Sequence, residues 1–221
     1  MSRKYYEAYE DRYKAIHARG GSWSSDKCTP IVLDMLNKHI QSNNPILEIG
    51  CGEGRDARAV LDQGMDLLAT DISLEAIRYC QSTMPQYKEH FQVLDCLSDT
   101  LDKAFDFIYA VAVIHMLVLD CDRDLFYQFI RAHLTTDGVA LICTMGDGNV
   151  EMQSDITQAF TPQQRNHESG KILVAGTSCR MVSFDTFKAE LQRNGLHLLE
   201  SGITSSLPDF NRLMYAVVKK S

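Results

Sequence analysis

The sequence predicts an α/β fold: a doubly wound, mostly parallel seven-stranded sheet with an antiparallel C-terminal hairpin strand. Three observations predict it. Between Pro45 and Met145, short apolar runs alternate with segments of helical period, the mark of βαβ units with a sheet buried on both faces. The first run, Ile46 to Ile49, ends in a glycine-rich turn, Gly50-Cys-Gly-Glu-Gly54. Near the end, the runs 196–203 and 211–218 are joined by a short connection containing Ser-Ser-Leu-Pro-Asp-Phe. So short a link forces an antiparallel pair, because parallel strands need a long crossover.

The elements follow in order. Residues 3–18 form a helix in which Tyr6, Tyr9, Tyr13 and Ile16 make one stripe. Gly20-Gly21 ends it, and Thr29-Pro30 supplies an N-cap and a first-turn proline for a helix to about Ile40. A strand at 45–50 leads through the glycine turn into a helix from Arg55 to Gln63, closed by Gly64. A second strand covers 65–71, and Ser73 caps a helix to about Ser82. The third strand covers 90–95 and the fourth 105–111. A helix over 122–134 turns Leu125, Phe126, Phe129, Ile130 and His133 to one side, and the fifth strand covers 139–145. Residues 147–181 read as an irregular polar insertion with one helix start at Thr161-Pro162; so long a segment is expected to be a lid or pocket wall. Ser183 caps a last helix to about Asn194, with Phe184, Phe187 and Leu191 inward, before the closing pair of strands.

The 221 residues are 45% hydrophobic and 23% charged, which fits one globular domain over 1–221. Within it, 1–28 is the expected N-terminal lid and 147–181 the insertion walling the substrate pocket. The net charge of -7 argues against nucleic acid and against an anionic membrane as partners. No segment approaches a membrane span, and the first residues hold no apolar run of a secretory signal. The seven cysteines are scattered with no CxxC spacing, as expected of reduced cytoplasmic thiols. No HxxxH spacing is present either, so no metal is expected.

The glycine turn lets the backbone turn tightly and approach a ligand, in front of a helix N-terminus. Asp71 ends the second strand, where an acid suits ribose hydroxyls. The dinucleotide pattern asks for a small residue at the sixth place, and here that place is Arg55. Glu48, two residues before the first glycine, suits an ammonium and not a pyrophosphate. S-adenosylmethionine carries an ammonium, a sulfonium and an adenosine, with no phosphate.

With these motifs the sequence resembles the class I S-adenosylmethionine-dependent methyltransferases, which are Rossmann-like. Glu48-Ile-Gly-Cys-Gly-Glu-Gly54 matches their first motif, and Leu68-Ala-Thr-Asp71 their second-strand acid. Val93-Leu-Asp95-Cys96 resembles the third strand end, Phe105 to Leu117 the fourth-strand motif, and Asp137-Gly138 the turn into strand five. The resemblance runs from about 29 to 218. It implies that Glu48 and Gly50, Cys51, Gly52 and Gly54 face the methionine part. It implies Asp71 on the ribose, Ile72 against the adenine ring, Asp95 on the adenine amino group and the Cys96 N–H on the ring. Ala110-Val111 stands where many relatives carry a polar pair, which leaves Ala110 its backbone carbonyl. The N-terminal Tyr9, Arg12-Tyr13 and Trp23 resemble the cofactor-covering segment of small-molecule enzymes such as the tellurite and thiopurine types.

The function expected is methyl transfer from S-adenosyl-L-methionine to a nucleophilic N, O or S atom of a small molecule, leaving S-adenosyl-L-homocysteine. His115, just after the fourth strand, is the candidate base, with Tyr13 as a further catalytic candidate. Trp23 is expected on the cofactor. Tyr9, His167 and Arg180 are expected to wall the substrate pocket, with His17 a weaker candidate. Glu53 and Asp56 read as acids of the turn and helix start. Two other readings stand beside this one: a cofactor-binding regulatory or assembly protein without transfer activity, and a nicotinamide oxidoreductase, which Glu48 and Arg55 disfavour.

Overall fold

The computed structural model describes residues 3–24, 27–40, 44–167, 170–204 and 212–221. A single 3-10 turn, Tyr5–Glu7, leads into helix α1, Ala8–His17, and helix α2 covers Pro30–His39. The alternating core then runs β1 (Ile46–Ile49), α3 (Arg55–Leu61), β2 (Leu67–Asp71), α4 (Leu74–Thr83), β3 (Phe91–Val93), β4 (Phe105–Val111), α5 (Asp120–His133) and β5 (Leu134–Met145). Short strands β6 (Met152–Gln153), β7 (Pro162–His167), β8 (Gly170–Ala175) and β9 (Arg180–Met181) follow. Helix α6 (Phe184–Arg193) and strands β10 (Leu196–Thr204) and β11 (Leu213–Lys220) end the fold. No described helix is long and apolar enough to cross a membrane.

The main sheet has seven strands in the order β10-β11-β5-β4-β1-β2-β3. β3, β2, β1, β4 and β5 run parallel, and β11 pairs antiparallel with both β5 and β10. The chain reverses direction across the sheet between β1 and β4, so the carboxyl ends of these strands open onto a crevice, the usual ligand position in such folds. One face packs Leu47, Ile49 and Ile108 against Phe126, Ile130 and Phe187 of α5 and α6. The other packs Ile46, Phe107 and Tyr109 with Val32 and Leu36 of α2 and Val60 of α3.

The expected elements appear, with four local differences. Thr29 does not cap α2 with its side chain; its N–H and hydroxyl go instead to the Asp56 carboxylate, at 2.7 and 3.0 Å. Pro162 opens strand β7, not a helix: the polar 147–181 segment is built of strands, and β7 pairs with β8 as a hairpin. Leu125 is 41% exposed, because the buried stripe of α5 runs through Arg123, Phe126, Tyr127 and Ile130. Phe184 is half-buried while Phe187 and Leu191 are buried. Ser73 caps α4 as expected, accepting from the Ala76 N–H at 3.1 Å. The expected connection at 205–210 and the expected strand start at Asn211 lie outside the described residues.

Candidate cofactor and acceptor site

The turn after β1 is drawn against β2 by two backbone bonds: the Gly50 and Cys51 N–H groups both donate to the Thr70 carbonyl, at 2.7 and 2.9 Å. Gly52 lies at φ +53° and an added Cβ would sit 2.7 Å from the Tyr13 hydroxyl. Only a residue without a side chain permits both that conformation and that approach. Gly50 is tied the same way to the segment after β4, since a Cβ there would collide with Val113.

Asp71 closes the other side of this turn. Its Oδ2 accepts the Gly52 N–H and its Oδ1 the Ser73 N–H, each at 2.8 Å. The side chain is fixed by backbone, while each oxygen keeps a second lone pair. Burial raises its pKa to about 6, against the pull of the two N–H groups. Glu48 is 2% exposed. Its Oε2 accepts the Tyr109 hydroxyl at 3.0 Å, and burial with nearby Asp56 pushes its pKa well above the usual carboxylate range. Among the described residues, neither Glu48 nor Asp71 forms an ion pair. Two buried acids that form no ion pair, with only the more distant Arg55 charge acting on Glu48, fit a ligand that brings an ammonium and hydroxyls.

Farther along the strand ends, Asp95 follows β3. Its Oδ2 meets the Lys4 ammonium at 2.8 Å and its Oδ1 accepts the Leu97 N–H at 3.0 Å. Ile72 and Cys96 are partly buried against the core. Beside this pair a groove of about 580 Å³ opens between Arg3 to Tyr6, Leu97, the start of α5 and Phe160. On β4 the Ala110 side chain is 1% exposed inside the core. Ala112 follows in the left-handed region at φ 57°, its N–H held by the Cys143 carbonyl at 2.9 Å.

The N-terminal helix covers this edge, and polar contacts hold it there. Glu53 accepts from the Trp23 N–H at 2.7 Å and from the Ser24 N–H, and its Oε1 bonds His17 Nε2 at 2.9 Å. His17 Nδ1 bonds Glu75 at 2.9 Å, and its ring stacks on Tyr79 with centroids 4.4 Å apart. Glu10 accepts the Ser73 hydroxyl at 2.6 Å. Tyr13 is 7% exposed, and burial raises its hydroxyl pKa well above the usual value.

Trp23, Tyr9 and His167 come together around Arg12. The guanidinium carbon lies 4.7 Å from the Tyr9 ring centre and 4.8 Å from that of Trp23. The His167 ring stacks on Trp23 with centroids 5.9 Å apart, and its Nε2 bonds the Ser22 carbonyl at 2.8 Å. Arg180 lies apart from this group. It donates to the Val118 carbonyl at 2.8 Å and to Asp120 at 2.7 Å, at the start of α5.

His115 sits in a short turn after β4, 3% exposed. Burial, then the charges of Arg123 and Arg12, lower its pKa to about 3. An imidazole so placed is neutral at neutral pH and accepts a proton poorly. The base role expected from the sequence therefore has no support in the electrostatics; a neutral hydrogen-bonding or shaping role does. The segment carrying it is held from behind by Arg123, whose Nη1 donates to the Ile114 and Leu117 carbonyls at 2.9 and 3.3 Å. Arg123 in turn makes a two-pronged pair with Glu190 of α6, at 2.8 and 2.6 Å, and Tyr127 adds a bond to Glu190 at 2.7 Å.

Sequence reasoning missed Arg12 as a buried group, Glu53 as the anchor of the cover, and the Arg123–Glu190 pair. The pair left a signal: both charges fall on the apolar stripes of their helices, Arg123 four residues before Tyr127 and Glu190 three after Phe187.

Residues 47–140 match the sequence profile of a family described as "Methyltransferase domain". No curated protein matches the chain. Several solved structures share the fold. The glycopeptide N-methyltransferase MtfA, complexed with S-adenosyl-L-methionine, superposes with a TM-score of 0.67 at 16% identity over 88% of each chain. The CcbJ methyltransferase from Streptomyces caelestis gives 0.69 at 14% identity, covering 99% of this chain and 98% of that one. A TehB-like S-adenosylmethionine-dependent methyltransferase from Corynebacterium glutamicum gives 0.59 at 20% identity over 98% of each.

Proposed function

We propose, for a chain whose residues 47–140 form a methyltransferase domain within the class I methyltransferase fold, that it moves a methyl group from S-adenosyl-L-methionine to a nitrogen, oxygen or sulfur atom of a small molecule. The observation that carries this is the pair of buried acids, Glu48 and Asp71, that form no ion pair among the described residues, on either side of a turn that only glycine can make. The cofactor supplies an electrophilic methyl on a sulfonium, whose sulfur keeps the bonding electrons when the acceptor's lone pair takes the carbon.

The chain's own part is to hold and enclose. Asp71 accepts from the ribose hydroxyls through the lone pairs its backbone bonds leave open. Glu48 lies toward the ammonium, which would draw its pKa down and ionise it. The Gly50, Cys51, Gly52 and Gly54 backbone gives close passage, and Ile72 and the Cys96 N–H meet the base. Asp95 reaches the adenine amino group once Lys4 shares it or gives way. Tyr13 and the segment to Trp23 roof the site, and aromatic faces favour a cation. With a good leaving group, alignment and exclusion of water can supply much of the rate. An acceptor that is already deprotonated, or an amine losing its proton to water, fits a neutral His115.

Calorimetry with S-adenosylhomocysteine and with NAD tests the cofactor: binding of the former alone is expected, and binding of NAD alone would end the reading. Asp71→Ala should weaken S-adenosylhomocysteine at least about tenfold, the loss of one charge-assisted bond or more. Radiolabelled methyl transfer into a metabolite extract separates an enzyme from a passive binder.

A further inference from the structure

Arg12 is buried at 5% exposure, and among the described residues it forms no ion pair with a carboxylate. Its Nη2 makes three bonds: to the Ala175 carbonyl at 2.9 Å, the Gly176 carbonyl at 3.0 Å and the Thr177 hydroxyl at 3.0 Å. Its Nε is buried without an acceptor. The guanidinium carbon lies over the Tyr9 and Trp23 rings, 4.7 and 4.8 Å from their centres. The N–H groups lie in the guanidinium plane, and part of that edge, at Nε, is unused. Burial lowers its pKa, and a second cation, Arg165 of β7, adds to that effect. The other arginine buried as deeply, Arg123, has both prongs on Glu190. A desolvated cation without a counter-ion is costly, and arginine's fork matches a carboxylate.

We propose that Arg12, between Tyr9 and Trp23, binds a carboxylate of the methyl acceptor, so that the substrate is a small carboxylic acid. This rests on the methyltransferase reading. Arg12 is fastened to the 175–177 end of the hairpin and acts on His115 after β4, the residue the sequence assigns to the acceptor. Its neighbour in sequence, Tyr13, is the residue that lies over the glycine turn. The aromatic walls suit an acid with a flat apolar body.

Trp23 is the one tryptophan in the chain, so its fluorescence reads this site. The full chain is first loaded with S-adenosylhomocysteine, then titrated with benzoate and with benzamide. Saturable quenching or enhancement by benzoate is expected, with benzamide about tenfold weaker or more, the worth of a charge-assisted bond. Arg12→Gln should erase that preference in protein that still takes up S-adenosylhomocysteine. If Arg12→Gln does not fold, Arg12→Lys keeps the charge without the fork and should shrink the same ratio. Equal binding of benzoate and benzamide, or a preference surviving in Arg12→Gln, overturns the proposal. So does a variant that loses S-adenosylhomocysteine but keeps 5′-methylthioadenosine, because Arg12 would then hold the cofactor's own carboxylate. Failure of the unaltered chain to take S-adenosylhomocysteine at all strikes the methyltransferase reading itself, before benzoate is added.

Discussion

Two buried arginines whose charges both act on His115, in the turn after β4, are treated in opposite ways. Arg123, 0% exposed, spends its donors on Glu190 and on two carbonyls of the 114–117 segment. Arg12, 5% exposed, meets only two carbonyls and a hydroxyl, with Nε left over. The acids divide the same way. Glu190 is fully answered, and Glu53 takes two N–H groups and His17. Among the described residues, Glu48 and Asp71 form no ion pair. Compensated charges lie where elements are joined: α5 to α6, and the N-terminal segment to the glycine turn. The unpaired acids Glu48 and Asp71 flank the turn at the strand ends, and the unpaired Arg12 is bonded to residues 175–177 at the end of the hairpin. A folded chain tolerates a stranded buried charge only where something else holds the group in place, and here that is backbone: Gly52 and Ser73 for Asp71, residues 175 and 176 for Arg12.

The contrast breaks most visibly at Glu190. Glu190→Ala leaves Arg123 buried without its acid, and about 3–5 kcal/mol of stability should be lost, read by urea denaturation. A loss below about 1 kcal/mol would mean that the pair is not a joint at all. Asp71 gives the next largest effect, and its sign is opposite to that of a paired acid. The folded pKa is raised from 3.8 to about 6, so the protonated form is the one the fold prefers. That contribution is complete below about pH 3.8 and is lost as pH rises through about 6, and two units correspond to about 3 kcal/mol. Asp71→Asn should remove this part of the pH dependence. Parallel stability curves for the two proteins between about pH 4 and pH 7 would show that Asp71 is not a stranded acid.

What the sequence made readable follows the range of the forces involved. The glycine turn, the Ser73 cap and the alternation of strands are local: Gly50 to Gly54 declares a backbone that must turn, and Ser73 bonds a residue three places on. Glu48 and Asp71 could be singled out because their spacing is set by one βαβ unit. Arg12 could not be read as buried, since its partners lie 163 to 165 residues away. Glu53 read as a turn acid because the N–H groups it takes belong to residues 29 and 30 positions earlier. His115 was correctly placed after β4, but its pKa is decided by Arg123 and Arg12 and by depth, none of which is a local property. The strands of the 147–181 insertion escaped notice because β7, Pro162–His167, is polar and mostly exposed, so it lacks the apolar alternation that marks a strand.

The smallest effect is the sharpest test of the contrast between the arginines. Arg12→Met and Arg123→Met remove the same charge and similar bulk. At Arg123 the change strands Glu190 and the Tyr127 hydroxyl among apolar side chains, so its cost belongs with the several kcal/mol of a broken buried pair. At Arg12 no acid is stranded. What goes is a set of hydrogen bonds to carbonyls and two ring contacts, against which the desolvation of an unanswered cation is recovered. A net loss of about 1–2 kcal/mol is expected, with the hairpin of β7 and β8 exchanging its amide hydrogens faster while the core strands stay protected. Comparable losses for the two methionine variants in urea denaturation would show that Arg12 is as fully answered as Arg123, and that the charge it holds is structural.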